Sequence, residues 1–585
     1  MPVHHGSLHR RYSGLLRLLR LMRLLHIGEW QAIVVQALLM GLAGAAAALL
    51  FEEATRLVQY LFTGQLELDR VACFASLPDA MRLVLPALGA LPAGLVLLCA
   101  LRNAKHPQPE YMEAFSLGNG RLPCRRGLLR SLSAVLSLGT GAAIGKEGAL
   151  IQISAVAASG IGRRLYVSPS RLRLMTGCGA AAGMTVAFHT PLAACLFVCE
   201  VVVGTFSIGT LAPLLLASCA ACSLLWMMGG AGALFELPAS FGTSAELGGC
   251  LVLGLAAAVL GKLWVAWLNL MRRLLSGSLR WLVPRMMLAG LAVGCIAMSE
   301  PYIVGNGYEA IRALCHGEFG LQQAACLLLL KALMVAVVFG VGTMGGVLTP
   351  TLMLGAFVGY LFGCGAEAAG IARPGHALAY AFIGMAGFFA VAGRTPVTAL
   401  LLVIELSMSA RLIFPLMLAV GFAYSLGRLL PGRSLYDASV RSGPPSAFDA
   451  PLRDLRVRDL CRPLPLRVGP RTPLERVMRL MLRHPGANVP VQDAQGCCLG
   501  VVRRAAVLDR PLPPSSCAGD LIDASVPLLD ADLSLPTALE IFQHSDCRAL
   551  PVTEGAERRL VGSLSRRELY STVALMMRRE LAMRE

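Results

Sequence analysis

Long apolar runs separated by short polar segments fill the first three quarters of the chain. The clearest runs are Trp30 to Phe51, Leu83 to Leu101, Leu247 to Leu270, Leu321 to Phe339 and Leu412 to Leu426. Each is close to the roughly 20 residues that cross a hydrocarbon core as a helix. Other apolar stretches are shorter and broken by glycine or proline, which lipid tolerates only where protein or water covers the backbone. The pattern predicts an all-α polytopic membrane domain built of packed and interrupted helices.

The pattern changes after Arg428, where a segment rich in proline, serine and charge predicts a linker over residues 437–452. Beyond it, a helix (PLERVMRLMLRH) precedes two short strands (NVPVQ and CLGVV). The same series returns as SLPTALEIFQH, RALPV and RLVGSL, so that Val489-Pro490-Val491 corresponds to Leu550-Pro551-Val552. We therefore predict a duplicated β-α-β-β-α soluble region, with copies over 453–510 and 517–578.

A second internal repeat lies within the apolar region. GAAAGMTVAFHTPLAACLFVCE (179–200) and GMAGFFAVAGRTPVTALLLVIE (384–405) share a basic-Thr-Pro step and a final glutamate. Chance similarity between two apolar helices is the alternative, but the matched Thr-Pro and Glu positions favour a true repeat. Transporters built from two related halves leave this signature and place their substrate site where the halves meet.

Composition supports a membrane protein. The chain is 56% hydrophobic and 15% charged, with a mean hydropathy of +0.65, which excludes an ordinary soluble domain. The net charge of +17 comes largely from arginines clustered between apolar runs, where they set topology and do not form a nucleic-acid surface. Residues 1–29 place arginines at three-residue spacing among leucines, which predicts an interfacial helix. We expect a multi-pass membrane protein with both termini cytoplasmic.

Cysteine and histidine usage argues against metal or catalytic chemistry. The 18 cysteines have no spacing typical of zinc sites or disulfide frameworks. The ten histidines form no His-Glu-x-x-His motif of the kind that a membrane-embedded protease needs. The sequence therefore predicts no catalytic residues, no metal and no enzyme.

Three short polar segments interrupt the apolar pattern. They are Gly145-Lys146-Glu147-Gly148-Ala149, Gly345-Gly346-Val347-Leu348-Thr349-Pro350, and His106-Pro107-Gln108-Pro109-Glu110-Tyr111. Each has the glycine or proline of a helix start, where free N–H groups carry about half a positive charge. Such ends would hold an anion weakly enough to release it, although for each segment taken alone an ordinary helix break is the favoured interpretation.

Glu147 stands out because a carboxylate among apolar residues costs roughly 2.5–3.5 kcal/mol on membrane-insertion scales. At a helix N-terminus it would occupy the place that an anion prefers. It would block that place when ionised and clear it when protonated or rotated away. The alternative is a capping carboxylate paired with the neighbouring Lys146.

The soluble region resembles a tandem pair of CBS domains, in which an acid after the last strand usually holds the ribose of an adenine nucleotide. The second copy offers Ser565 and Glu568 at that step, whereas the first reads Arg503-Arg504-Ala505-Ala506. The resemblance thus implies an adenine nucleotide at one site. A purely structural, dimerising role is the alternative.

From about Trp30 to Tyr436 the sequence resembles the ClC family of chloride channels and chloride/proton antiporters, especially its bacterial ClcB-like branch. Gly-Lys-Glu-Gly-Ala stands for the family's Gly-Arg-Glu-Gly-Pro, and Gly346 to Pro350 for its Gly-x-Phe-x-Pro. The resemblance implies a ClC fold over 30–436, with inverted-topology halves of tilted and broken helices at about 30–229 and 247–430.

The same resemblance implies site residues and an assembly. Glu147 would be the gating glutamate, with Lys146 and Gly148 beside it at the anion site. Val347 and Leu348 would present backbone amides to chloride, and the Tyr436 hydroxyl would reach the central ion. The protein would be a homodimer in a lipid bilayer, with one chloride pore per subunit and no cofactor in the membrane part.

Three departures from the family pattern bear on mechanism. His106 aligns with the serine that coordinates the ion, or is a loop histidine without a role. Leu348 replaces a phenylalanine but keeps its backbone donor. Val201 stands where antiporters generally carry a glutamate that passes protons to the gate, and valine cannot take a proton. Glu200 and Glu405, matched in the two repeats, are expected to be structural, capping a helix or pairing with arginine.

The leading hypothesis is a voltage- or pH-gated chloride channel, with a chloride/proton antiporter as the alternative. A CBS-regulated cation transporter comes from another class. It would need clustered acids or a carbonyl-lined filter at membrane depth, and the glutamates here are far apart in sequence.

Overall fold

The computed structural model of the chain contains two compact units, which are described one after the other. The described residues are 29–65, 69–102, 120–165, 167, 169–203, 207–229, 243–436, 455–462, 468–483, 489–503, 507, 513, 516–523, 526–543, 545, 547, 549–555, 557–566, 568 and 569. The chain divides into two compact units at Ser442 and Gly443. The predicted interfacial helix and the predicted linker lie outside the described residues, except for Glu29.

The first unit is helical. Its first half comprises α1 (Glu29–Thr63), α2 (Arg70–Ser76), α3 (Asp79–Arg102), α4 (Cys124–Gly139), α5 (Glu147–Arg164), α6 (Pro169–Phe188), α7 (Pro191–Phe197) and α8 (Ile208–Met227). Its second half comprises α9 (Ser244–Leu275), α10 (Leu282–Ala297), α11 (Tyr308–Cys315), α12 (Leu321–Gly340), α13 (Leu348–Ala368), α14 (Ala377–Gly393), α15 (Pro396–Ser407) and α16 (Ile413–Leu429). One-turn 3₁₀ segments at Leu279–Trp281, Pro301–Ile303 and Ala410–Leu412 join some of them.

Within the described residues, eight helices are long and apolar enough to cross a membrane. All five predicted spans fall inside them, and the first is longer than predicted because α1 continues past Phe51 to Thr63. The extra turns carry glutamates and an arginine, whose long side chains can extend towards water at a membrane surface.

The internal repeat is confirmed by matched backbone geometry. The basic residue of each Thr-Pro step, His189 and Arg394, adopts a left-handed conformation with φ of 60° and 57°. A proline then occupies the first turn of the following helix, α7 or α15. Left-handed conformations are uncommon outside glycine, so their recurrence at one repeat position indicates a shared fold.

Small residues let the central helices pack closely. Gly355 on α13 faces Gly384 on α14, and a Cβ built at Gly355 would lie only 2.8 Å from the Gly384 carbonyl oxygen. Any larger side chain would force these helices apart. Small residues at helix contacts are typical of membrane bundles, which gain stability from close packing.

The second unit contains two small sheets that repeat the same plan. One has the order β1 (Val489–Gln492), β2 (Cys498–Val502), β3 (Ile522–Asp523), and the other β4 (Leu529–Asp530), β5 (Ala549–Glu554), β6 (Arg559–Ser565). The predicted helices are present as α18 (Leu474–Arg483) and α19 (Leu535–Gln543), after a short α17 (Val457–Leu460). The matched Val-Pro-Val and Leu-Pro-Val segments lie on β1 and β5, each paired antiparallel with the next strand. The predicted duplication is therefore confirmed, while its exact bounds stay predictions.

Candidate functional site

Two of the three short polar segments, those around Gly145 and Gly346, lie side by side in the first unit. The Gly145 N–H donates to the Gly346 carbonyl and the Gly346 N–H donates to the Gly145 carbonyl, both at 2.7 Å. These bonds form an isolated antiparallel bridge just before α5 and α13 begin. The positive N-terminal ends of the two helices therefore converge.

Glycine is required on both sides of this bridge. A Cβ at Gly145 would collide with the Glu147 carboxylate and would lie 2.7 Å from the Gly346 carbonyl oxygen. A Cβ at Gly346 would lie 2.9 Å from the Gly148 amide nitrogen. The backbone of each segment thus takes the space that a side chain would otherwise fill.

Glu147 begins α5 and points into the junction of these segments. Its side chain is buried, with 1% of the residue exposed. One carboxyl oxygen, Oε1, accepts a 2.9 Å hydrogen bond from Asn306 Nδ2. The other, Oε2, is buried and has no hydrogen-bond partner among the described residues. A buried carboxylate oxygen in that position is costly unless nearby dipoles stabilise it, and two helix N-termini supply such dipoles.

Lys146 does not pair with Glu147. Its ammonium lies 2.5 Å from the Glu52 carboxylate on α1, and both side chains are partly exposed. The capping pair considered from the sequence is therefore not the one that forms. Val347 is the residue that precedes α13, and Leu348 is its first residue. Their amides lie in the first turn, where helix N–H groups lack intrahelical partners.

Tyr436 packs against the C-terminal end of α14, away from the Gly145–Gly346 bridge in sequence. Its ring meets Phe197 of α7 edge-on, with ring centroids 5.5 Å apart, and the preceding residue, Leu435, donates its N–H to the Ala392 carbonyl at 2.8 Å. Tyr436, the predicted ligand of the central ion, thus lies at the C-terminal ends of α7 and α14. His106 and its whole segment lie outside the described residues.

The two repeat glutamates cap each other's helices. The Glu405 carboxylate accepts from the Leu192 and Ala193 N–H groups at 3.0 and 2.7 Å, in the first turn of α7. The Glu200 carboxylate accepts from the Val397 and Thr398 N–H groups, at 3.3 and 2.9 Å, in the first turn of α15. The expected structural role of these residues is confirmed, and it takes the form of reciprocal capping between the halves.

Val201 lies beside Glu200 on a single turn of π-helix, Val198–Val203, that follows α7. Its side chain is half-buried and packs against the hydrophobic core. A π-turn inserts one extra residue, which turns Glu200 towards α15 and leaves Val201 at the core surface.

Sequence reasoning missed Asn306 and Lys331. Asn306 precedes α11 and is buried, and Lys331 is a fully buried lysine in the middle of α12. Lys331 carried a usable signal, because a charge inside a spanning segment calls for an explanation just as Glu147 does. Asn306 had no comparable signal, since asparagine between two glycines is also an ordinary turn.

In the second unit, Ser565 and Glu568 form a capping box. The Ser565 N–H donates to Glu568 Oε2 at 3.2 Å and the Glu568 N–H donates to Ser565 Oγ at 3.1 Å, while Ser565 Oγ also donates to Glu568 Oε2 at 2.7 Å. Glu568 Oε1 also lies 2.5 Å from Arg462 Nε. Both side chains are thus bonded to other protein groups. In the described part of the chain, no three His, Cys, Asp or Glu side chains are grouped to hold a metal ion.

A polytopic helical bundle of two related halves, with broken helices converging on a buried carboxylate, defines a membrane ion-transport protein. The profile described as "Voltage gated chloride channel" matches residues 88–428, and the CBS domain profile matches residues 518–574. The chain therefore belongs to the voltage-gated chloride channel family.

Relatives and solved structures agree with this assignment. A putative ClcB-like chloride channel protein of Ralstonia nicotianae is 36% identical over 407 residues, which cover 68% of this chain and 94% of the relative. The voltage-gated ClC-type chloride channel ClcB of Escherichia coli O81 is 31% identical over 409 residues, which cover 68% of this chain and 96% of the relative.

Two solved structures share the fold. A slow cyanobacterial Cl⁻/H⁺ antiporter superposes with a TM-score of 0.62 at 20% identity, covering 71% of this chain and 98% of the other. A eukaryotic CLC transporter superposes with a TM-score of 0.59 at 18% identity, covering 94% of this chain and 98% of the other. The fold class is thus the predicted one, and the protein is a multi-pass chloride channel or transporter.

Proposed function

We propose that the protein is a passive chloride channel gated by the Glu147 side chain. The observation that carries this proposal is the buried Glu147 carboxylate, with Oε2 lacking a hydrogen-bond partner among the described residues at the meeting point of two helix N-termini. A negative oxygen held there by backbone dipoles occupies the position that suits a halide. Ion and carboxylate compete for it, so the pathway conducts when the carboxylate is protonated or rotates away.

The ion would be coordinated mainly by backbone amides. Gly148 and Leu348 lie in the first turns of the converging helices and Val347 directly precedes α13, where backbone N–H groups lack intrahelical partners and are available to an anion. Lys146, paired with Glu52, would attract anions to the entrance without binding them tightly. Tyr436 would bind the ion at the opposite end of the pathway, together with His106 if that residue replaces the family's serine.

Val201 favours a channel over an antiporter. It offers no group that can carry a proton, and the adjacent Glu200 is engaged in capping α15. The opposing observation is that the solved neighbours include a Cl⁻/H⁺ antiporter and a fluoride/proton antiporter. Chloride/proton exchange is therefore the second candidate function.

Purified protein in liposomes separates the two functions. A chloride gradient should drive chloride efflux with no uphill proton movement, and efflux should rise as the pH falls. Glu147→Gln should conduct at all pH values because its side chain cannot be ionised. Glu53→Gln is the matched control, since Glu53 lies on α1 and pairs with Arg56 at the surface. Uphill proton movement that Glu147→Gln abolishes would overturn the channel proposal in favour of the antiporter.

The assembly and orientation follow the family expectation. We infer a homodimer with one pathway per subunit in a bacterial inner membrane, with both termini cytoplasmic. Apolar side chains exposed on α7, α15 and α16, such as Leu192, Val397 and Phe414, supply a surface that lipid or a second copy can cover. Single-molecule photobleaching in liposomes, together with reporter fusions at both termini, tests these two points.

For the soluble unit we favour a structural role over nucleotide binding. Glu568 is already bonded to Ser565 and Arg462, so an adenine nucleotide would have to break both contacts to reach its carboxylate. Breaking a charged hydrogen bond costs about 1.5–3 kcal/mol, which weakens any ligand that requires it.

A further inference from the structure

The loop that precedes α11 reaches the Glu147 carboxylate through one side chain. Asn306 is 3% exposed, and its Nδ2 donates to Glu147 Oε1 at 2.9 Å. Its carbonyl oxygen, Oδ1, accepts the Tyr308 N–H at 3.3 Å. Because Oδ1 is held by the backbone of α11, the amide N–H₂ group is directed at Glu147.

The backbone around Asn306 fits only glycine on either side. Gly305 and Gly307 have φ values of +69° and +95°, which side-chain-bearing residues rarely adopt. A Cβ at Gly307 would also approach the Met353 side chain on α13. The loop is therefore built to a fixed shape that presents Asn306 to the carboxylate.

Lys331 on α12 binds the backbone of the residues that precede Asn306. Its ammonium is fully buried and lies within hydrogen-bond distance of four successive backbone carbonyls, those of Tyr302, Ile303, Val304 and Gly305, at 3.1, 2.7, 3.0 and 3.1 Å. A buried charge in a membrane segment is costly unless it is satisfied, and here backbone dipoles satisfy it. Lys331 thus gathers carbonyl oxygens that would repel an anion, and fixes the loop up to the residue before Asn306.

We propose that Asn306 is the positioning residue that holds the Glu147 carboxylate in its seated, blocking position, and that Lys331 acts through it by fixing the loop. The proposal rests on Glu147 being the gate. An amide N–H bonds more strongly to a carboxylate than to a neutral carboxyl, so Asn306 favours the ionised, closed gate. Loss of this bond should favour opening.

The groups surrounding the gate remain in place when Asn306 alone is changed. The charged and titratable side chains of the segments that flank the gate and the loop are Lys146 with its partner Glu52, Arg70 beside Gly305, Tyr308, Glu309 and Arg312 of α11, Lys331 on α12, and His189 after α6. Any change of the pH profile in an Asn306 variant relative to the native chain therefore reports the lost contact.

The test is chloride efflux from liposomes as a function of pH. Asn306→Ala should raise efflux at neutral pH about tenfold, equivalent to about 1.4 kcal/mol. It should also move the midpoint of activation upward by about one pH unit. Asn306→Asp keeps the shape, loses the amide donor and adds a negative charge beside Glu147, so it should shift the midpoint further in the same direction. Asn269→Ala is the matched control, because Asn269 Nδ2 donates to the Val265 carbonyl within its own helix, α9.

Lys331 supplies a second, independent variant. Lys331→Met should shift the pH midpoint in the same direction as Asn306→Ala. The single variant Lys331→Arg should retain much of the native pH profile, because arginine keeps the positive charge. If Asn306→Ala and Asn306→Asp both leave the midpoint unchanged, the positioning role is wrong. A rise in efflux without a shift of midpoint would also overturn it, since general loosening of the fold has that effect.

A double variant distinguishes failure of this inference from failure of the gate. In a Glu147→Ala background, Asn306→Ala should have no further effect, because the contact is already gone. If Glu147→Ala alone leaves both flux and its pH response unchanged, the proposed gate fails. If Glu147→Ala acts but Asn306→Ala does not, the gate stands and the positioning role falls.

Discussion

At the scale of single residues, one carboxylate and its immediate contacts carry most of the proposed mechanism. Glu147 was evident from the sequence because charge is rare among apolar residues. Its partner could not be identified in that way. Asn306 is 159 positions away, and only the folded chain shows that its amide meets the carboxylate. The Lys146–Glu52 pair was missed for the same reason, since sequence adjacency suggested only Glu147 as a partner for Lys146.

Val201 provides a residue-scale prediction about protons. Val201→Glu places a titratable group on the half-buried π-turn after α7. We expect a chloride gradient to drive proton movement above the leak in this variant and not in the native chain, while passive chloride efflux falls severalfold. Proton-sensitive dye inside liposomes measures this directly.

Val201→Gln is the control, because it has the same size as the glutamate but takes up no proton. Equal proton signals from the two variants would show that the position only disturbs packing. Proton pumping by the native chain would show that Val201 does not interrupt the proton path.

At the scale of helices, the internal repeat was readable because it leaves matched residues in matched order. The Thr-Pro steps, the left-handed residues before them and the terminal glutamates all recur. What the repeat could not reveal was that each glutamate caps the helix of the opposite half. That exchange depends on how the halves are oriented in space, which no local pattern encodes.

The capping exchange predicts a symmetric loss of stability. Glu405→Gln and Glu200→Gln each replace a charged acceptor at a helix N-terminus by a neutral one. We expect each to destabilise the membrane unit by about 0.5–2 kcal/mol. Thermal unfolding in detergent, followed by light scattering or tryptophan fluorescence, provides the measurement.

The surface variant Glu53→Gln should leave unfolding unchanged, since exposed ion pairs are worth little. A clear loss in only one of the two capping variants would contradict the equivalence of the two halves. Glu200 has one additional bond, from the Thr398 hydroxyl at 2.7 Å, so its replacement should cost somewhat more.

At the scale of the whole molecule, composition predicted a membrane part and a soluble part, and the sheets of the second unit confirm the duplication in the latter. The hydrophobic pattern was sufficient to predict both parts, because membrane-spanning helices leave long apolar runs whereas the short strands and helices of the soluble part leave short alternating ones. The ligand of the soluble part was not predictable. Ser565 and Glu568 satisfy a nucleotide-binding pattern and a helix cap equally well, and the folded chain uses them as a cap.

We therefore predict that adenine nucleotides bind the full-length protein weakly or not at all. Titration calorimetry in detergent with ATP and AMP should give no dissociation constant below about 1 mM, which corresponds to about 4 kcal/mol. Micromolar binding that Glu568→Ala removes would contradict the structural role. Glu540→Ala, on α19, serves as the control for a lost acid in the same unit.

The mutual amide bonds between Gly145 and Gly346 have a kinetic consequence. They join the two polar segments to each other, so that under the proposed gating an ion crosses this point without a rocking motion of one half against the other. Under that gating only the Glu147 side chain has to move, whereas rocking of one half against the other is a collective motion that takes microseconds to milliseconds. If the proposed channel gate operates, throughput is set by how often the Glu147 carboxylate turns aside, and many ions can pass each time it does.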